Sequence, residues 1–129
     1  MDAQPDTVAW LERYYALLDS GQVREAVAEF LAPDCTFRVA NEEPVGFREA
    51  GRALEPFVKG LRHRLLSVLE ADGTIAAELQ ITYIRHDGSS VTLPGALFAT
   101  VRDGRFIEQR AYVDQGPLTT NRTANERTD

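Results

Sequence analysis

The sequence predicts an α+β domain with its helices at the N-terminal end, and three observations predict it. Helical spacing of apolar residues is confined to roughly the first half of the chain. Stretches rich in Val, Ile, Leu, Thr, Phe and Tyr fill most of the rest. Three Asp-Gly pairs, Asp72-Gly73, Asp87-Gly88 and Asp103-Gly104, separate those stretches as hairpin turns do. Helices followed by a run of antiparallel strands form two layers, with the helices laid on one face of a curved, mainly antiparallel sheet.

The first helix spans residues 6–19. Val8, Leu11, Tyr15 and Leu18 form its stripe, Trp10, Tyr14 and Leu17 widen it, Asp6 is a plausible N-cap and Gly21 is the stop. A second, short helix over residues 22–31 turns Val23, Val27, Phe30 and Leu31 inward and ends at Ala32-Pro33-Asp34. Residues 35–39 read as a short strand and 40–47 as a loop. Residues 48–61 read as a third helix, with a break near Glu55 because Pro56 lacks the N–H that a helix interior needs. Four meander strands follow, over residues 63–70, 74–85, 91–102 and 105–114. Residues 1–118 are therefore read as one domain, and residues 119–129, which carry no large apolar side chain, as a disordered polar tail.

Composition excludes several classes of function. The chain has 129 residues, 43% hydrophobic and 26% charged, ordinary proportions for one globular domain. No apolar run approaches the roughly 18 residues of a membrane span. Residues 1–7 are polar and acidic, unlike a secretory leader, so a cytoplasmic location is expected and no membrane partner. The net charge is −6, and the densest basic cluster is only Arg62, His63 and Arg64, so no nucleic-acid partner is expected. Cys35 is the lone cysteine and has no Cys or His at ligand spacing, so neither a disulfide nor a metal site is expected.

The order of elements, the hairpin "TYIRHDGSSVTLP", the turn "VRDGRF" and the closing "RAYVDQGPL" carry a resemblance over residues 7–118. They resemble the SnoaL-like branch of the nuclear transport factor 2 fold, the cone-shaped family that also holds ketosteroid isomerase and limonene epoxide hydrolase. The resemblance implies three N-terminal helices on the sheet, a deep apolar pocket, no cofactor and a homodimer; many members of the fold pair through the outer sheet face, and the sequence leaves open whether this chain does. It implies no single reaction, because this fold hosts isomerases, hydrolases, cyclases and plain binders.

Carried over residue by residue, the family's chemistry is only partly present. Ketosteroid isomerase uses an Asp base beside a Tyr and a protonated Asp. The base falls at Glu43 in "EEPVG", the Tyr at Tyr14 or Tyr15, and the protonated Asp near Leu97 or Phe98, neither of which donates a hydrogen bond. In the epoxide hydrolase pattern the final-strand Asp falls at Ala111, and the Arg-x-Asp pair falls near Glu78 to Gln80. The acid of the cyclases falls among Ala96 to Phe98. With Ala111 facing the pocket, strand parity turns Ile107, Gln109 and Val113 inward, together with Leu93, Gly95, Leu97 and Ala99 on the neighbouring strand. Glu108, Arg110, Tyr112 and Asp114 then face outward.

Catalytic candidates are therefore Glu78, His63, Glu43 and Tyr14. Glu78 and Gln80 form a polar strand face that is either the open outer surface or a pocket wall. His63 is either a strand-start histidine or a base at the pocket mouth. Tyr14 is either core packing or a donor to a ligand oxygen. Candidate substrate contacts are Phe57, Gln80, Leu97, Gln109, Ala111, the loop residue Asn41, and Trp10, whose ring also suits the core. Two functions stay open. One is a cofactor-free acid/base enzyme, a cyclase, isomerase or epoxide hydrolase, acting on a small hydrophobic polyketide- or terpenoid-like molecule. The other is a non-catalytic ligand-binding or dimerisation module.

Overall fold

The computed structural model describes residues 2–119. The tail read as disordered lies outside the described residues, save Thr119. Helix α1 is Pro5–Asp19 and α2 is Val23–Phe30. The first begins at a proline, whose fixed φ and missing N–H suit the opening turn. Gln4, not Asp6, is its N-cap, and Asp6 sits in the first turn, where the helix dipole favours an acid. Strand β1, Leu31–Val39, runs straight out of α2 and is longer than the 35–39 expected. Pro33 is tolerated because pairing with the last strand skips from Leu31 to Thr36, so no ladder hydrogen bond is asked of it.

A two-residue strand β2, Val45–Gly46, lies within the expected loop. Helix α3 is Phe47–Leu54 and stops two residues before Pro56, where the break was expected. The four long strands fall within a few residues of expectation: β3 Gly60–Ala71, β4 Thr74–Ile84, β5 Ser90–Arg102 and β6 Arg105–Val113. A one-turn helix α4, Gly116–Thr119, follows. Among the described residues there are thus four helices, three before the long strands and one after. None is long and apolar enough to cross a membrane.

The six strands make one sheet in the order β2-β1-β6-β5-β4-β3. Every pairing is antiparallel except β1 with β6, which makes the sheet mixed. Asp72 and Gly73, like Asp103 and Gly104, both have positive φ, the backbone of a tight hairpin turn that Asp-Gly adopts at low cost. Asp87-Gly88 instead lies in a longer loop closed by the Arg85 N–H on the Ser89 carbonyl at 2.7 Å.

The core fills the space between α1, α2 and the inner sheet face. Its largest fully buried side chains are Tyr14, Tyr83, Phe30, Phe106 and Leu11. Trp10 belongs to this packing, its ring centroid 5.2 Å from Phe30 and 4.8 Å from Phe106. The expected inward parity holds for Leu93, Leu97, Ala99 and Gln109, all buried. It fails at Ile107. The β5–β6 register shifts between Thr100 and Val101, so Phe106 takes the inward place and Ile107 is half-buried.

Candidate functional site

A cavity of about 430 Å³ opens between the sheet, α1 and α3, a size typical of small-molecule sites, roughly 300–1,000 Å³. Its walls are mostly apolar: Phe37 and Val39 from β1, Leu61 from β3, Leu79 and Ile81 from β4, Leu97 from β5, Ala111 and Val113 from β6, and Phe47, Ala50 and Leu54 from α3. Against these the chain sets a few polar groups. Tyr14 and Tyr15 come from α1, His63 from β3, Tyr83 from β4, Gln109 from β6, and Gln115 from the segment beyond it.

His63 carries the most chemistry. Its side chain is 9% exposed, and its Nδ1 lies 2.6 Å from Asp19 Oδ1, with Asp19 19% exposed. Its backbone N–H donates to the other carboxylate oxygen, Oδ2, at 2.7 Å. The Tyr15 ring is stacked on the imidazole at 4.3 Å and 22°. Asp19 therefore grips His63 at two points while Tyr15 fixes the plane of its ring. A carboxylate can only accept, so the shared proton sits on Nδ1, and in the neutral ring it is Nε2 that carries the acceptor lone pair. No described residue hydrogen-bonds Nε2.

The Tyr14 hydroxyl is fully buried and accepts from Gln109 Nε2 at 2.9 Å. Burial pushes this phenol well above its ordinary value, and the neighbouring Tyr15 adds to the shift while the Gln109 hydrogen bond opposes it. Tyr14 therefore stays protonated, with its own O–H free to donate. Burial, then the Asp19 charge, raises Tyr15 in the same way. Tyr83 is raised by burial against the hydrogen bond its hydroxyl accepts from Gln115 Nε2 at 3.2 Å. Cys35, pushed up to about 11 chiefly by burial, is no nucleophile at neutral pH.

Of the catalytic candidates, His63, Tyr14 and Glu43 line the one cavity. Glu78 does not. It is exposed on the outer sheet face with Gln80, because Ile75, Ala77, Leu79, Ile81 and Tyr83 take every inward position of β4. The candidate contacts Phe57, Leu97, Gln109 and Ala111 line the cavity, whereas Trp10 is turned into the core and Asn41 into solvent. Asp114 is exposed and accepts from the Gly116 N–H at 3.0 Å, a turn residue and not a site residue. The residue missed was Asp19. An acid in the last turn of a helix opposes the dipole, and that misfit was its only signal in the sequence. Among the described residues no three His, Cys, Asp or Glu side chains converge as a metal site.

Comparison with solved structures defines the class. An NTF2-like protein of unknown function from Burkholderia pseudomallei K96243 superposes with a TM-score of 0.76 at 16% identity, covering 92% of this chain and all of that one. A proposed SnoaL-like polyketide cyclase from Jannaschia sp. CCS1 gives 0.69 at 18% identity, covering 94% and 99%. AclR, a proposed hydroxylase from Streptomyces galilaeus, gives 0.73 at 13% identity, covering 90% and 94%. The fold is that of nuclear transport factor 2. Within it, the model of the SnoaL-like domain matches residues 11–109, and the chain belongs to that family. No curated protein matches it.

Proposed function

We propose that this SnoaL-like protein is a cofactor-free acid/base enzyme that moves a proton on a small, hydrophobic, polyketide-like substrate. The observation that carries this reading is the Asp19–His63 pair at the cavity wall. His63 Nε2 takes a proton from carbon next to a substrate carbonyl, and Asp19 stabilises the imidazolium that forms. The enolate oxygen receives the Tyr14 O–H, which Gln109 orients from behind. The imidazolium then returns the proton to a second carbon, giving isomerisation, or the enolate carbon closes on an internal carbonyl and the imidazolium protonates the alkoxide so formed, giving cyclisation. Low polarity in the walls strengthens each of these interactions. The Jannaschia protein, a proposed polyketide cyclase of the same fold, supports the substrate class.

The test uses tetralone as the probe and follows exchange of its α-protons for deuterium by proton NMR. Saturable exchange that falls about 100-fold or more in His63→Ala supports the reading. Exchange no faster than free imidazole provides at the same concentration overturns it. Leu97 and Ala111 occupy cavity positions where relatives place an acid, which favours the rival reading, a non-catalytic binder. Tetralone binding without faster exchange would select that rival.

The outer sheet face fits a second copy of the chain. Leu69, Ala76, Phe98 and Arg110 lie in register across four strands. The Phe98 and Tyr112 rings meet edge to face at 5.8 Å, with Arg110 over Phe98 at 5.8 Å. Arg110 Nε is buried without a hydrogen bond, and the nearby Glu108 Oε1, at 3.4 Å, makes an ion pair of poor geometry. Light scattering is expected to give a dimer for the wild type and a monomer for Phe98→Glu. A monomeric wild type would remove the proposal.

A further inference from the structure

We infer that Tyr15 is a second hydroxyl donor of this site, and that the substrate carries two carbonyl oxygens flanking the reacting carbon, one for Tyr14 and one for Tyr15. The inference rests on the acid/base reading of the cavity and narrows its substrate to a β-dicarbonyl ring compound. Tyr15 lines the cavity and is only 7% exposed, yet its hydroxyl has no hydrogen-bond partner among the described residues. Asp19, one turn further along α1, has each of its oxygens turned to His63. Among the described residues only Arg110 Nε is both sealed from solvent and without a partner. The Tyr15 hydroxyl therefore has open space before it, and the space that Tyr15 lines is the cavity. A donor held this far from bulk water gains most from an acceptor that the ligand brings.

In the wall Tyr15 stands between the two groups already assigned, its ring stacked on His63 at 4.3 Å and 5.1 Å from the Tyr14 ring. Tyr14 is tied to Gln109 on β6 and Tyr15 lies on His63 of β3, strands that β4 and β5 separate. The two phenols therefore address neighbouring points in the cavity and not a single one. Burial, then the Asp19 charge, keeps Tyr15 protonated, so it donates and does not compete with His63 as a base. A lone carbonyl oxygen leaves one of these donors empty, whereas a carbon flanked by two carbonyls fills both. That carbon is also the more acidic. As its proton passes to His63 Nε2, the electron pair left behind spreads over two oxygens, each of which meets one phenol O–H. Such a carbon acid suits an imidazole, a base of modest strength near neutral pH.

Calorimetry on the full chain with two inert probes tests this: dimethylindanone and dimethylindanedione, each methylated twice on the carbon beside the carbonyl. Neither has a proton there to lose, and they differ by one carbonyl group. The wild type is expected to bind the dione about tenfold more tightly than the monoketone. Tyr15→Phe should shrink that gap to about the twofold that the dione's symmetry gives, with the monoketone affinity within about twofold of wild type. The variant keeps the ring stacked on His63 and loses only an unpartnered oxygen, so its Tm should match the wild type's. Equal binding of the two probes by the wild type, binding of neither, or a gap that survives in Tyr15→Phe overturns the inference. A gap removed by Tyr83→Phe alone also overturns it, because the second oxygen would then lie on the hydroxyl that Gln115 holds. An equal loss for both probes in Tyr15→Phe overturns it too, by placing both phenols on one oxygen. Each of these outcomes leaves the acid/base reading to the tetralone exchange, whose failure beside an intact tenfold gap would overturn that reading and support the Tyr15 subsite.

Discussion

Asp19→Asn is expected to slow ketone proton exchange by about 10²- to 10⁴-fold while leaving the affinity for tetralone within about twofold of wild type. The carboxylate accepts two hydrogen bonds from one residue, from the His63 backbone N–H at Oδ2 and from the ring Nδ1–H at Oδ1. An amide of the same shape can accept only one of them. If its oxygen keeps the backbone N–H, its NH₂ faces Nδ1 and forces that nitrogen to become the acceptor. The ring proton then moves to Nε2, and the lone pair that should meet the substrate is gone. Asn also cannot offset the charge of the imidazolium. The loss therefore falls on kcat and not on KM. Retention of wild-type kcat in this variant would mean that Asp19 only anchors the end of α1 to β3.

Most of the fold was legible because its signals are local. Two Asp-Gly pairs have the positive φ values that a tight hairpin demands, and Pro56 marks where α3 must already have ended. What the sequence hid depends on pairing between distant segments. The parallel partnership of β1 with β6 lets the strand begin at Leu31 and pass through a proline, which no local rule allows. The shift at Val101 places Phe106 inward, where strict alternation gives Ile107.

The site was legible where the family resemblance turned Ala111 inward and strand parity carried that choice to Gln109 and Leu97. Alternation could not say which face of β4 meets the helices, so Glu78 could be placed only by the structure. The Asp19–His63 contact joins a helix end to a strand start across 44 residues. Neither residue announces the other, and His63 taken alone reads as a strand-start histidine.

Phe106→Ala is expected to cost about 3–5 kcal/mol of stability, read from urea unfolding by circular dichroism, and to lower Tm on the order of 10–20 °C. Phe106 has no exposed surface. Its ring centroid lies 4.8 Å from Trp10 and 5.0 Å from Tyr14, and its backbone pairs with Leu31 at the start of the parallel ladder. Removing the ring leaves a cavity behind α1 that rigid neighbours on the sheet cannot close. The same space backs Tyr14, whose hydroxyl must hold its direction toward the substrate. Below the unfolding transition, exchange by the variant should therefore slow by about tenfold, whereas Phe106→Leu should restore most of both stability and rate. A stability loss under about 1 kcal/mol would show that the Trp10 indole swings into the vacated space, and Tyr14 would then be held by Gln109 alone.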